Sequence, residues 1–265
     1  MKKWIVVIIV ITAILYTGNK TIKTTEITVE SNKIPASFNG LKIVQISDLH
    51  DATFGKHQSK LVKKVKDEKP DLIFITGDLI DSNRYDLKNS LEVVEQIVSF
   101  APIYYVTGNH EIATNDVDHI KTELSNLGVN VLSNKEQIIE KNGERIRIIG
   151  IEDPLSGVSV EDALSKFKKT EDFTLVLSHR PETFQDYVEN RLDVVFSGHA
   201  HGGQFRIPGL GGLVAPGQGL FPKYTAGLYE EKDTKMIVSR GLGNSVIPLR
   251  VFNTPELVVV VLHAK

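Results

Sequence analysis

LKIVQISDLH, residues 41–50, sets the pattern by which the rest of the chain is read. Leu41–Ser47 is a short apolar run of buried-strand length. It ends on Asp48-Leu49-His50, which offers two groups able to bind a metal. The same pattern then recurs. Asp71–Thr76 (DLIFIT) runs through Gly77 into Asp78, with Asp81 three residues on. Pro102–Thr107 (PIYYVT) runs through Gly108 into Asn109-His110-Glu111. Phe173–Leu177 and Ser178 lead to His179; Asp193–Phe196 and Ser197-Gly198 lead to His199-Ala200-His201. In open α/β sheets, ligands bind beyond the carboxyl ends of the strands. Five strand ends aimed the same way converge these side chains on one site.

Between and after these runs lie segments of other periods. Lys56–Glu68, with apolar Leu61, Val62 and Val65 among lysines, is expected to be a helix. So are Leu87–Phe100, Asp116–Leu127 (stopped by Gly128) and Val160–Phe167. Short strands are expected around Val129–Leu132, Gln137–Glu140 and Arg145–Ile151, with Asn142-Gly143 as a hairpin turn. Tyr224–Tyr229, Lys235–Val238 and Glu256–Leu262 complete the strands. Alternating strands and helices followed by strand-rich sequence predict a mixed α/β (α+β) protein, with sheets covered by helices. One domain is expected over residues 40–265. Residues 21–39 read as a connecting segment with a candidate strand at Thr21–Val29.

Composition narrows the chemistry. The chain has 265 residues, 41% apolar and 24% charged, with a net charge of −2. That excludes whole-chain disorder and argues against nucleic acid as partner. Cysteine is absent, so no disulfide, thiolate zinc site or iron–sulfur cluster can form. Any metal must sit on oxygen and imidazole donors, which suit Zn, Mn, Fe or Mg. Asp48 and His50 are two apart, as are His199 and His201, so on an extended chain each pair faces one side. Gly77, Gly108 and Gly198 just before the donors are expected to let the backbone turn sharply and approach the metals closely. The seven candidate donors, Asp48, His50, Asp78, Asn109, His179, His199 and His201, exceed the need of one four-coordinate ion. They suit two ions sharing a carboxylate.

In this order, D-x-H, G-D-x-x-D, G-N-H-E, a lone His and G-H-x-H resemble the calcineurin-like metallophosphoesterase superfamily, over residues 41 to about 245. GHAHGGQFRIPGLGGLVAPGQGLFPKYTAGLY (Gly198 to Tyr229) and Ser178-His179-Arg180-Pro181-Glu182 further resemble its bacterial exported or membrane-anchored branch. The resemblance implies a four-layer αββα sandwich of two mixed sheets. It implies two divalent cations, Mn, Fe or Zn. One would take Asp48, His50, Asp78 and His201; the other would take Asp78, Asn109, His179 and His199. Asp78 would bridge them together with a hydroxide that attacks phosphorus in line. His110 would act as general acid or charge stabiliser, with Asp81 orienting it or a ligand. Asp81-Ser82-Asn83 reads equally well as a turn. Arg180 is assigned to a substrate phosphate, with pairing to Glu182 or a backbone carbonyl as the equal alternative. Glu111 reads as a local structural carboxylate. His57, His119 and His263 belong to no motif and read as surface histidines.

Lys2-Lys3 followed by an apolar run from Trp4 to Tyr16 reads residues 1–20 as a signal anchor or signal peptide. The run is shorter than the ~20 residues of a comfortable span. The lack of a small-x-small cleavage site favours an uncleaved anchor at the cell membrane, lysines inside and the catalytic domain outside. Cleavage would make the protein secreted. Eight of the 20 glycines fall between Gly198 and Gly219. Phe205, Leu210, Leu213, Leu220 and Phe221 make that loop apolar enough to line an acyl or lipid pocket, or simply to pack beneath it. Lys60, Lys63, Lys64, Lys66 and Lys69 read as a solvated face, with attraction to anionic lipid or wall polymer as the alternative. The expected activity is hydrolysis of a phosphodiester or pyrophosphate in a phosphorylated small-molecule, envelope or lipid-linked substrate. The alternatives are a phosphodiesterase acting on soluble nucleotides and a non-catalytic metal- or phosphate-binding envelope module.

Overall fold

A computed structural model of the chain describes Trp4 and residues 18–265. Apart from Trp4 and Gly18-Asn19-Lys20, the segment read as an anchor lies outside the described residues. Among the described residues no helix is long and apolar enough to cross a membrane.

The chain opens with β1 (Lys23–Ser31), β2 (Lys42–Ile46), α1 (Ser59–Glu68), β3 (Leu72–Thr76), α2 (Leu87–Ile97) and β4 (Ile103–Val106). It continues with α3 (Asn109–Ala113), α4 (Val117–Asn126), β5 (Asn130–Val131), β6 (Lys135–Lys141) and β7 (Glu144–Ile151). Then come α5 (Val160–Ser165), β8 (Phe173–Ser178), α6 (Phe184–Glu189) and β9 (Val194–Ser197). Four two-residue strands fill the glycine-rich stretch: β10 (Arg206–Ile207), β11 (Gly211–Gly212), β12 (Val214–Ala215) and β13 (Gly219–Leu220). The last three are β14 (Gly227–Glu231), β15 (Thr234–Val238) and β16 (Glu256–Ala264).

Two mixed six-stranded sheets result, in the orders β1-β16-β2-β3-β4-β5 and β14-β15-β9-β8-β7-β6. Strands β2 to β5 run parallel in the first sheet, and β7, β8, β9 and β15 in the second. The apolar residues divide by strand face. Ile43, Phe74, Leu175, Phe196, Val258 and Val260 join a core shared by the two sheets. Their neighbours Val44, Ile73, Ile75, Val259 and Leu257 face a second core under α1, α2 and α4, which contribute Leu61, Val94 and Leu124. Val176, Val195 and Val238 face a third core with Ala163, Leu164, Phe184 and Tyr187 from α5 and α6. Strands buried on both faces, with three apolar layers between four structural layers, are what the unbroken runs LKIVQIS and DLIFIT require. The fold is the expected mixed α/β sandwich.

Thr21–Val29 does carry a strand, displaced to Lys23–Ser31, and it pairs with β16 along nine registered positions. The segment therefore adds an edge strand to the first sheet. The helix expected from Lys56 begins at Ser59, because His57 and Gln58 hold positive φ of 51° and 57°. Helices α3 and α6 were not expected; at five and six residues they are too short to show a 3.6-residue period.

Candidate metal centre

Parallel β2, β3 and β4 of one sheet and β8 and β9 of the other end on the same edge of the sandwich. Buried side chains tie the two sheets together there. Gln45, within β2, donates from Nε2 to Thr76 Oγ1 at 2.9 Å and to the carbonyl of Ser197 at 3.0 Å. His179 Nδ1 lies 2.7 Å from the Thr76 carbonyl, its only acceptor there, so Nδ1 carries the proton and Nε2 is turned toward the cluster.

The structure brings six of the seven donors within ligand distance of one another, in two groups, and puts the seventh, Asn109, on the same cavity. Ligand atoms of Asp48, His50, Asp78 and His201 lie within 4.8 Å of one another, as do those of Asp78, His179 and His199. Asp78 belongs to both groups. Its Oδ2 is 3.5 Å from His50 Nε2 and 3.2 Å from His179 Nε2. The ring nitrogens of His50 and His201 meet at 3.1 Å, and those of His179 and His199 at 3.2 Å. Asn109, the first residue of α3, has a buried Oδ1 with no hydrogen-bond partner. An orphaned buried acceptor beside crowded imidazole nitrogens and a carboxylate is the donor chemistry a divalent cation takes up. A larger cavity of 570 Å³ at the amino ends of β8 and β9 contains none of these donors.

Convergence comes about differently from the extended-chain expectation. Asp48, His50, Asp78, His199 and His201 all adopt left-handed backbone, with φ of 49°, 48°, 50°, 65° and 47°. Each such residue costs roughly 1–2 kcal/mol unless side-chain hydrogen bonds offset it, and strain of this kind collects at functional sites. The loops turn the side chains inward, and Leu49 is left facing the core. The glycine expectation holds for Gly77, whose φ is +86°. Gly108 and Gly198 do not need positive φ. A Cβ on Gly108 would lie 2.2 Å from Asp78 Oδ1, and one on Gly198 2.0 Å from Ser47 Oγ and 2.4 Å from Asp48 Oδ2. At those two positions the close-approach half of the expectation is what requires glycine, and the turning half does not apply.

Burial and charge divide the imidazoles. Burial, aided by neighbouring histidines, holds His50 and His199 well below the usual imidazole range. His201 is lowered mainly by burial. His179 is the exception: burial opposes its charge, but the carboxylates of Asp78, Asp48 and Asp153 push it up to about 10. Burial likewise works against the Asp78 charge, and the histidines around it overcome that and hold it well below the carboxylate range. The metal-free cluster therefore stores a proton on His179 beside an ionised Asp78.

Glu111, read from the sequence as a local structural carboxylate, fills that role between two ligand loops. Buried Glu111 accepts backbone N–H groups from Asp78 at 2.9 Å, Leu79 at 2.7 Å, Ile80 at 3.2 Å and Gly108 at 2.7 Å. Burial, together with the Asp78 charge, pushes it up to about 7, against those donors. One carboxylate thus shapes both the Asp78 turn and the turn before Asn109. Its position next to Asn109-His110 is the only sequence signal for it.

His110 sits beside the cluster, but Asp81 does not hold it. Asp81 Oδ1 is 3.6 Å from His110 Nδ1, beyond a hydrogen bond. Asp81 instead accepts the backbone N–H of Asn83 at 2.9 Å and pairs with Arg84, which is the turn reading. The backbone N–H of Ser82 takes His110 Nδ1 at 3.0 Å, and Ser245 Oγ lies 3.0 Å from Nε2. Arg180 forks onto Asp153, with Nε at 2.6 Å and Nη2 at 3.0 Å. Its Nη1 is 2.9 Å from His199 Nε2 and 3.5 Å from Glu182. Asp153, buried and far away in sequence, carried no motif. Glu182 Oε1, 3.8 Å from His199 Nε2, is the acceptor available once His199 Nδ1 is given to a cation. His57 pairs with Glu92 at the surface, and His119 and His263 are exposed.

A cavity of about 390 Å³ opens onto Asp78, Asn109, His110, His199 and His201. Its other wall is apolar: Val214, Ala215 and Pro216 face Val246 and Ile247. The loop residues expected to line such a pocket behave differently. Leu210, Leu220 and Phe221 project to solvent.

The fold and this centre define a class of protein, metal-dependent phosphoric ester hydrolases of metallophosphoesterase fold. Known proteins agree with that class. The calcineurin-like phosphoesterase family model matches residues 41–203. An uncharacterized metallophosphoesterase of Bacillus subtilis, YkuE, is 32% identical over 92% of this chain and 86% of its own length. Phosphodiesterase YaeI of Escherichia coli is 28% identical, covering 82% of this chain and 80% of its own. The solved phosphopantetheinyl hydrolase PptH of Mycobacterium tuberculosis superimposes with a TM-score of 0.50 at 11% identity, over 77% of this chain and 91% of that one, a likeness of fold. The chain belongs to the calcineurin-like phosphoesterase family, and its buried Asp/His cluster is a site for divalent metal.

Proposed function

We propose that the chain holds two divalent cations, manganese, iron or zinc, and hydrolyses a phosphodiester or pyrophosphate bond in a lipid-linked or envelope substrate. In this reading residues 1–20 hold it at the cell membrane, with the catalytic domain extracytoplasmic. The observation that carries the two-ion reading is Asp78, whose carboxylate is shared by both donor groups. One group is Asp48, His50, Asp78 and His201; the other is Asp78, His179 and His199, to which this reading adds the buried Asn109 Oδ1. The chemistry supplied by cations bound there is neutralisation of phosphate oxygens and acidification of a water for in-line attack.

The chain's own residues do the rest. Ser82 N–H occupies His110 Nδ1, so the neutral ring carries its proton on Nε2, facing the cavity side where Ser245 now receives it. From there it can be given to the leaving oxygen as the phosphorus–oxygen bond breaks. With Nε and Nη2 held by Asp153, Arg180 reaches a phosphate only through Nη1, which is freed once His199 Nε2 carries a proton. The apolar wall from Val214 to Pro216 excludes water from one side of the cavity and favours an acyl or prenyl portion over a sugar or base.

The test is a panel of mono-, di- and pyrophosphate substrates, lipid-linked ones included, with Mn, Zn, Fe and Mg added separately. Hydrolysis of diester or pyrophosphate that chelation abolishes supports the reading. A metal-loaded protein that binds phosphate and turns over none of the panel overturns it. Removing residues 1–17 leaves Asn19 in place; it should spare a soluble diester and slow a bilayer-embedded one.

A further inference from the structure

We infer that the rim of the metal cavity is a bilayer-docking surface, which seats the cavity mouth against an anionic lipid interface. Leu210, Leu220, Phe221, Val246 and Phe252 are between 71 and 84% exposed. Large side chains exposed to this degree are unremarkable singly, but a contiguous group of them marks an interaction site.

These belong to one structural unit. Leu220 lies opposite Val214 in the β12–β13 pair, and Phe221 N–H reaches the carbonyl of Leu213. Leu210 caps the turn of the β10–β11 hairpin. The second segment is stitched to the first. Gln204 Nε2 donates to the carbonyls of Ile247 at 2.9 Å and Leu249 at 2.7 Å, and Arg206 N–H donates to Val251 at 3.0 Å. Phe252 follows directly. Val214 and Val246 themselves wall the cavity, so the exposed tips continue outward from the catalytic pocket.

Two observations name the occupant as lipid. The first is charge. No Asp or Glu occurs from Val194 to Tyr229 or from Thr234 to Pro255, in a chain with 33 acids in 265 residues. Lys223, beside Phe221, and Lys20 are exposed. Two exposed apolar segments that contribute no acids of their own and are edged with lysine suit an anionic headgroup layer. The second is the position of Asn19, which follows the apolar amino-terminal sequence. Asn19 Nδ2 donates to the Arg250 carbonyl at 3.0 Å, and Arg250 N–H donates to Asn19 Oδ1 at 2.8 Å. Asn19, three residues after the apolar sequence Trp4–Tyr16, is thus held by Asn244 and Arg250, on the segment that carries Val246 and Ile247 to the cavity.

This inference rests on the membrane placement proposed above, and the experiment keeps the two apart. The chain has no cysteine, so single replacements Leu210→Cys, Leu220→Cys and Phe252→Cys in the full chain accept one environment-sensitive fluorophore each. Ile138→Cys, on strand β6 at the sheet edge away from β14, is the control. Hydrolysis of a soluble diester checks that each variant is folded. With phosphatidylglycerol–phosphatidylcholine vesicles, the three rim labels should shift to the blue and be quenched by bromolipid, while the label at 138 does neither. Vesicle-bound protein whose rim labels stay in water overturns the docking surface and leaves membrane placement standing. Protein that fails to sediment with vesicles overturns both. A concentration-dependent blue shift without lipid assigns the rim to a second copy and overturns the proposal.

Discussion

The backbone N–H of Ser82 donates to Nδ1 of His110 at 3.0 Å, and the role that sequence assigned to Asp81 falls instead to a peptide group. A backbone donor cannot turn into an acceptor, so it fixes which ring nitrogen carries the proton. His110→Ala should lower turnover on the order of 10²–10⁴-fold, the range for a lost proton donor, with metal content unchanged. Asp81→Asn should cost less than about tenfold, because it keeps the Asn83 turn and touches no ring nitrogen. Steady-state kinetics beside elemental analysis decide between them. Equal damage from both variants restores Asp81 to a catalytic part.

Asp78 is the only carboxylate common to both donor groups. Asp78→Asn removes the shared charge and should deplete all bound metal, whereas Asn109→Ala, which touches one group, should deplete part of it. Metal-to-protein ratios after gel filtration measure this. Retention of full metal by Asp78→Asn would contradict the shared-ligand arrangement.

Glu111 holds four backbone N–H groups of two ligand loops. Each buried donor left without a partner costs about 1–3 kcal/mol, so Glu111→Ala should destabilise the metal-free protein by several times that of an ordinary surface change. Glu111→Gln keeps one acceptor oxygen and should lose roughly half as much. Urea unfolding of both variants checks the order.

Gly198→Ala introduces a Cβ into contact with Ser47 Oγ and Asp48 Oδ2. Overpacking costs about 1–3 kcal/mol, and here the strain falls on a ligand. Metal affinity should drop more than stability. Gly143→Ala, where no atom lies within 4 Å but φ is +79°, should lower stability alone. Isothermal titration and thermal melts separate the two effects.

His179 has its pKa raised from 6.5 to about 10 in the metal-free chain. A raised imidazole contributes stability that is complete below 6.5 and lost as pH rises through about 10. A bound cation takes the place of that proton and faces less competition as pH climbs. At fixed free Mn²⁺, the gap in melting temperature between loaded and chelated protein should widen from pH 7 to 10. A gap that is constant or narrowing over this window sinks the assignment.

Sequence alone determined the long strands of the two sheets, the order of the motifs and the residue types offered as donors. Strands buried on both faces must be nearly unbroken apolar runs, and residues that bind metal are restricted to a few types, so both leave a local signature. It also showed the apolar glycine-rich loop, but not which way the loop faced. Tertiary structure decided what depends on contacts between segments far apart in the chain. The left-handed turns at Asp48, His50 and Asp78 are stable only because Glu111, Gly108, Gly198 and the Gly241–Gly243 backbone pack against them. The Arg180 guanidinium found Asp153, and His110 found Ser82, through proximity that no spacing encodes. The same holds for the rim, where residues 204–221 and 245–252 become one apolar surface only once Gln204 and Arg206 join them.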